Sequence, residues 1–284
     1  MFGFLNIYKP AGKTSHDVVS ILRRITKIKQ IGHTGTLDPF AEGVLPVCIG
    51  KATKLIEYLK DDKAYIGTVK LCTATTTYDT EGEITHTGHR NVVSQDEIEA
   101  VLSKFRGEIY QTPPIYSAIK VNGKKLYEYA RKGEEVEIQP RKVNISKIDM
   151  INFNSQANEL EIYIECSKGT YIRSLANDIG EVLGTYGHLN KLIRVKAGDF
   201  VIADSVKLEN LQNADDIAKH LIYPLEYLNF PAYELNDKEY ERIANGNFIC
   251  AKTDDGTVIL TKDRKITAIG FTEDNLIKPQ KVFI

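Results

Sequence analysis

The run Gly32-His33-Thr34-Gly35-Thr36-Leu37-Asp38-Pro39-Phe40-Ala41-Glu42-Gly43 constrains this chain more than any other stretch. It sets a carboxylate, Asp38, in a glycine-rich turn that regular secondary structure does not require. Such a turn brings backbone amides and an acidic side chain beside whatever enters a pocket. The polar side chains of His33, Thr34 and Thr36 crowd the same loop and are costly to order unless their hydrogen bonds are used.

The flanking pattern predicts how the turn is held. Thr14-Ser15-His16-Asp17 has the form of a capping box, and Val18, Leu22 and Ile25 follow at helical spacing, so a helix is expected over about 15–28. Residues 44–49 are nearly all apolar, as in a buried strand, and 51–59 return to a helical pattern. Residues 64–71 are rich in β-branched and aromatic side chains and predict a strand. Ser94 and Glu97 open a second capping box ahead of Ile98, Val101, Leu102 and Phe105. Residues 136–148 and 161–166 alternate as strands, and Lys168-Gly169 leads into a helix carrying Ile172, Leu175, Ala176, Ile179, Val182 and Leu183. This mixture predicts an α+β fold built on a large, mainly antiparallel sheet with flanking helices. A break between Tyr223-Pro224 and Phe230-Pro231 precedes a helix at 237–244 and short strands near 257–260, 266–271 and 281–284. That pattern suits a small β-barrel-like module of modest stability, and divides the chain into 1–228 and 229–284.

Composition narrows the class. Hydrophobic residues make up 42% and charged residues 26%, as in ordinary globular proteins. Cys48, Cys72, Cys166 and Cys250 lie far apart, with neither zinc-ligand spacing nor the density of a disulfide scaffold, which fits a reducing cytoplasm. No apolar run approaches a membrane span, and the opening residues suit a strand and turn better than a signal peptide. A net charge of −1 makes no global case for nucleic acid. Locally, Lys9, Lys13, Arg23, Arg24, Lys27 and Lys29 face only Asp17 between residues 9 and 30, which suits either an RNA-binding surface or a solvated helix face.

Several residues have two readings. Asp38 before Pro39 suits a reactive carboxylate or the N-cap of a short helical turn. Arg173, at the start of a helix, opposes the helix dipole, so it is either a surface arginine or the partner of a buried carboxylate. Tyr65, Tyr116 and Tyr171 are shaped to stack on a planar ligand, yet most of the fifteen tyrosines must be ordinary half-buried residues. Lys168-Gly169-Thr170 lacks the glycine-rich loop of a phosphate-binding motif. His16, His33, His86, His89, His188 and His220 form no zinc-ligand spacing, so metal dependence is disfavoured.

Taken together, these blocks resemble the TruB family of bacterial tRNA pseudouridine-55 synthases over roughly residues 1–225. The matching blocks are Asn6-Ile7-Tyr8-Lys9-Pro10 with Gly12-Lys13-Thr14-Ser15-His16-Asp17, then the 32–43 run with Val44-Leu45-Pro46. They continue with Gln111-Thr112-Pro113-Pro114-Ile115-Tyr116-Ser117-Ala118-Ile119-Lys120 and with Cys166-Ser167-Lys168-Gly169-Thr170-Tyr171-Ile172-Arg173-Ser174-Leu175. The resemblance implies that Asp38 is the catalytic aspartate, Arg173 its salt-bridge partner and Tyr65 the tyrosine that stacks on the target base and serves in proton removal. It implies that His33 supports the flipped-out nucleotide, that Tyr171 and Leu192 line the pocket, and that Lys9 and Pro10 stand near its rim. Lys13, Arg23, Arg24 and Lys27 are then candidate phosphate contacts. A C-terminal PUA-like RNA-binding module is implied as well, although residues from Asn229 onward carry eight Lys or Arg against nine Asp or Glu. Three positions depart from the family pattern: Thr76 replaces an aspartate in Thr75-Thr76-Thr77-Tyr78-Asp79, and Phe40 and Glu42 replace the commoner Leu and Thr.

The implied substrate is the T stem-loop of tRNA, with no cofactor, no membrane, no obligate protein partner and a monomeric enzyme. The implied reaction breaks the N1–C1′ bond of a uridine, turns the base and joins C5 to C1′. An aspartate with an ordinary pKa of about 4 is ionised at neutral pH, and Arg173 would preserve that charge. Proton abstraction from the ribose 2′ position, attack at C1′ and attack at uracil C6 all remain open. Two other functions also fit parts of the chain: a non-catalytic RNA-binding or RNA-folding protein, and a glycosidase, which needs a second carboxylate across the sugar.

Overall fold

The structure is a computed structural model that describes residues 1–88 and 93–284. The amphipathic and alternating segments form the strands and helices β1 (Gly3–Lys9), α1 (Ser15–Thr26), β2 (Ile31–His33), β3 (Glu42–Ile49), β4 (Lys63–Leu71), α2 (Gln95–Ser103), β5 (Gly107–Gln111), β6 (Arg141–Asn154), β7 (Glu159–Cys166), α3 (Ile172–Val182), β8 (Gly187–Ala197) and β9 (Val206–Lys207). The strands join one mixed sheet in the order β9-β1-β3-β8-β4-β7-β6-β5, with β2 added on β3. Only β1 with β9 and β3 with β8 run parallel. The expected α+β class with a mainly antiparallel sheet is what the chain forms.

β1 and β3 are mostly apolar because both of their faces are covered. Leu5, Ile7, Leu45, Val47 and Ile49 pack against Val18, Val19 and Leu22 of α1 on one side. Phe4, Val44 and Cys48 point the other way. A separate core beneath α2 and α3 holds Val69, Ile162, Ile164, Leu175, Ile179 and Leu189.

Local differences from expectation have local causes. α1 stops at Thr26 because Lys27 turns left-handed, with φ 60°, and bonds Arg23 O. The 50s segment forms a 3-10 helix, Gly50–Tyr58, rather than an α-helix. The strand expected from residue 136 begins at Arg141 and extends to Asn154. Both capping boxes form, Thr14 with Asp17 and Ser94 with Glu97. His89 lies outside the described residues.

Beyond residue 231, β10 (Ala232–Glu234), α4 (Asp237–Ala244), β11 (Ile249–Cys250), β12 (Gly256–Lys262), β13 (Lys265–Glu273) and β14 (Leu276–Val282) build a second sheet in the order β10-β12-β13-β14-β11. The last strand thus lies earlier than the expected 281–284. This PUA-like module is not loosely tethered, since Ile259, Ile266 and Ile269 share a core with Phe4, Val44, Cys48 and Leu228. Lys51 reaches Phe283 O at 3.1 Å, and Tyr58 Oη donates to Gln280 Oε1 at 3.3 Å.

Candidate active site

The glycine-rich turn joins β2 to β3 and is fastened from three sides. The Ser15 hydroxyl, at the first turn of α1, accepts from Leu37 N at 2.8 Å and donates to Leu37 O at 3.1 Å. Gly12 N donates to Pro39 O at 2.9 Å. From the sheet, Arg194 of β8 donates to Gly35 O at 3.0 Å, Thr36 O at 3.3 Å and Val44 O at 2.7 Å. Gly43 is required where the loop enters β3: its φ is +103°, and a Cβ there would stand 2.3 Å from Arg194 O.

This fastening turns Asp38 toward Arg173, whose Nε lies 2.9 Å from Asp38 Oδ2. The contact is a close charge pair rather than an aligned hydrogen bond. The Asp38 side chain thus faces a buried guanidinium. Arg173 is 5% exposed at the start of α3, an unfavourable end of the dipole for a cation. It is compensated as expected by buried acceptors: Asp79 Oδ2 at 3.3 Å, Thr77 O at 3.3 Å and Tyr116 O at 2.9 Å. Burial pushes the Asp38 carboxyl above the ordinary carboxylate range, while the Arg173 charge opposes the shift. Pairing therefore moderates the effect of burial without cancelling it.

Asp79 went unrecognised as a site residue in the sequence, although it ends the Thr75–Asp79 motif. Its carboxylate accepts from Thr77 Oγ1 at 2.5 Å and Glu81 N at 3.0 Å, which fixes it behind Arg173. The Thr76 departure falls outside this grip, because Thr76 is exposed and accepts from Glu83 N within the adjoining hairpin. Glu42 accepts from Tyr8 Oη at 2.8 Å, and burial together with that carboxylate pushes the phenol up to about 12. Phe40 packs against the core beneath α2 and α3.

Asp38 and Arg173 open onto a cavity of about 450 Å³ that also gathers Tyr65, Tyr171, Leu192 and Arg194. Tyr65 on β4 is paired across the sheet with Arg194 on β8, and Leu192 sits two residues before Arg194. Gln111 holds Tyr171 in register, accepting from its N at 2.8 Å and donating to its O at 3.0 Å. Tyr116, Ser117 and Tyr127 close the opposite wall.

Four of the expected site residues stand outside the cavity lining. Lys9 is fully buried, with its Nζ bonded to the carbonyls of Pro10, Lys13 and Pro39 at 2.9, 2.6 and 3.2 Å. Loss of water lowers its pKa to about 8. Pro10 lines a different groove, of about 650 Å³, between α1 and residues 207–212. Arg23 is half-buried and donates to Ile31 O at 2.9 Å, a contact within the protein itself. His33 ends β2 outside the cavity lining, and burial with the nearby Arg194 charge lowers its pKa. Lys13, Arg24 and Lys27 are exposed. Among the described residues, no group of three or more His, Cys, Asp or Glu is placed to hold a metal ion.

Residues 23–172 match the model of the TruB family pseudouridylate synthase N-terminal domain, and residues 173–228 match that of the tRNA pseudouridylate synthase B C-terminal domain. The chain belongs to the TruB family. It is 44% identical over 286 residues to tRNA pseudouridine synthase B of Caldanaerobacter subterraneus subsp. tengcongensis, covering 99% of both chains. The same figure holds over 301 residues for the Staphylococcus aureus enzyme, again with 99% of each chain covered. Among solved structures, the chain is similar to one titled a Cbf5-Nop10-Gar1 complex, with TM-score 0.72 and 25% identity over 100% of this chain and 85% of the other. As a TruB member it is a tRNA pseudouridine synthase, which decides against a non-catalytic RNA-binding protein and a glycosidase. No helix among the described residues is long and apolar enough to cross a membrane.

Proposed function

We propose that this chain isomerises the uridine at position 55 in the T loop of tRNA, with Asp38 as the reacting carboxylate. The observation that carries the reading is the Asp38–Arg173 contact at 2.9 Å, opening on a cavity walled by Tyr65, Tyr171 and Leu192. A nucleoside must leave its stack to enter such a cavity, at a cost of a few kcal/mol, and Tyr65 and Tyr171 offer it new stacking surfaces. The Asp38 carboxylate then meets the ribose. It acts either as nucleophile at C1′ or as base at the 2′ position, and an adduct at C6 is the third route; all three use the same oxygen pair. Arg173 keeps that pair charged and aimed.

Lys13, Arg24 and Lys27 are the exposed cations offered to RNA phosphates, Lys13 and Arg24 on the groove that Pro10 lines, whereas Lys9 and Arg23 act on the protein's own carbonyls. We assign catalysis to residues 1–228 and RNA positioning to 229–284, in a monomer working in the reducing cytoplasm.

The test is a tRNA transcript incubated with purified protein and mapped by mass after uracil-specific derivatisation. Pseudouridine at position 55, lost when that residue is cytidine and retained in an isolated T stem-loop, is the expected result. Modification elsewhere in the tRNA with position 55 untouched overturns the assignment.

A further inference from the structure

Arg194 is fully buried, and among the described residues no carboxylate lies within ion-pair distance of it. Its three hydrogen bonds, one from each nitrogen, go to carbonyls, and none of them meets a carboxylate that would balance its charge. A buried, unbalanced guanidinium is costly to a fold. Its surroundings offer no relief, because Lys9, His33 and Lys63 lie near enough to feel the same charge, which adds to the larger effect of burial in lowering the pKa of each. Such a site suits an anion that is present only for part of a reaction cycle.

The side chain placed to become that anion is Tyr65. It is the cross-strand partner of Arg194, lines the same cavity and is 7% exposed. The groups whose charge bears on its hydroxyl are Arg194 from β8, Cys166 from β7 and Asp38 from the glycine-rich loop. Burial pushes the Cys166 thiol up to about 11, so it stays neutral, and Asp38 is held by Arg173. Lys63 stands two residues along β4 on the same face and donates to Asp61 O at 2.6 Å. Burial, with smaller contributions from Cys166 and Asp38, drives the Tyr65 phenol up, and the guanidinium pulls it back.

We propose that Arg194 is a positioning residue that lets Tyr65 carry one proton between N1 and C5 of the detached uracil, by holding the phenolate formed in between. As the N1–C1′ bond breaks, its electron pair stays on N1, and the Tyr65 hydroxyl gives N1 its proton. After C5 has bonded to C1′, the phenolate removes the C5 proton, and the C–H electron pair restores the ring double bond. Tyr65 ends as it began, the uracil has exchanged a C5–H for an N1–H, and no oxidant or co-reactant is needed. The inference rests on the proposed reaction at Asp38 but is indifferent to which ribose intermediate forms.

The test places 3-fluorotyrosine at position 65 of the full chain and follows its ionisation by 19F NMR in the wild-type, Arg194→Lys and Arg194→Gln backgrounds. The ionisation constant is expected to fall at least about tenfold in Arg194→Gln, one pKa unit, and less in Arg194→Lys, which keeps a charge. In parallel, RNA deuterated at C5 of the target uridine is turned over by the unlabelled enzymes. Arg194→Gln is expected to lose about 100-fold in kcat at nearly unchanged KM, with a deuterium isotope effect larger than that of wild type. An unchanged fluorotyrosine titration, or a kcat loss with no change in isotope effect, overturns the inference. If circular dichroism shows Arg194→Gln unfolded, the Arg194→Lys titration decides by the same criterion. Failure of wild-type protein to form pseudouridine would instead strike the proposed function.

Discussion

Asp38 and Asp79 share one guanidinium, and the sharing is unequal. Asp79 is locked by Thr77 and Glu81 N, whereas the Asp38 side chain keeps 33% of its surface open. Because burial raises the Asp38 pKa above its unfolded value, the ionised form opposes folding at neutral pH, and that penalty disappears as pH falls through the folded value. Asp38→Asn is therefore expected to melt above wild type at pH 7 and to match it in acid, checked by thermal unfolding at a series of pH values. A lower melting temperature at pH 7 would show that the Arg173 pair stabilises the fold on balance. For activity, the acid limb of the wild-type pH–rate profile is expected above the ordinary carboxylate value of about 4. Asp79→Asn leaves the carboxylate proposed to react in place but frees one side of Arg173. A kcat loss on the order of 100-fold with KM nearly unchanged is expected in steady-state assays. Much of this site was legible in the sequence: Asp38, Arg173, Tyr65, Tyr171 and Leu192 all meet at one cavity. Lys9 and Arg23 turn inward to bond carbonyls, which a run of cations does not announce.

The glycine-rich loop owes its shape to the elements around it. Ser15 clamps Leu37 from α1, and Arg194 holds the loop from β8. Residue periodicity revealed α1 and β3, but a clamp spanning 150 or more residues, such as Arg194 to Val44 or Gly35, leaves no local pattern. The boundaries that shifted did so for comparable reasons: Lys27 ends α1 by a left-handed turn that its neighbours' apolar spacing did not announce. At this scale Gly43→Ala is the sharpest probe. With φ at +103° and the Arg194 backbone in the space a methyl would need, the substitution should cost more than about 3 kcal/mol by denaturant unfolding. A cost below about 1 kcal/mol would mean that the loop and β8 separate easily.

The two sheets share one core, in which Phe4, Val44 and Cys48 of the large sheet cluster with Ile259, Ile266 and Ile269 of the small one. A module of modest independent stability was expected from its short strands. What the strands alone do not display is the shared core, because the apolar residues that form it look like each sheet's own. Phe4→Ala should lower the stability of the whole molecule by about 3–5 kcal/mol and keep a single unfolding transition. Two separated transitions would show the sheets to be independent. The whole assembly serves to hold one carboxylate against one guanidinium at the mouth of a nucleoside-sized cavity. The most direct test compares wild-type and Asp38→Asn protein on a single T stem-loop transcript, measuring both RNA affinity and pseudouridine formed. The account predicts unchanged binding and no product from Asp38→Asn; turnover within about tenfold of wild type would contradict it.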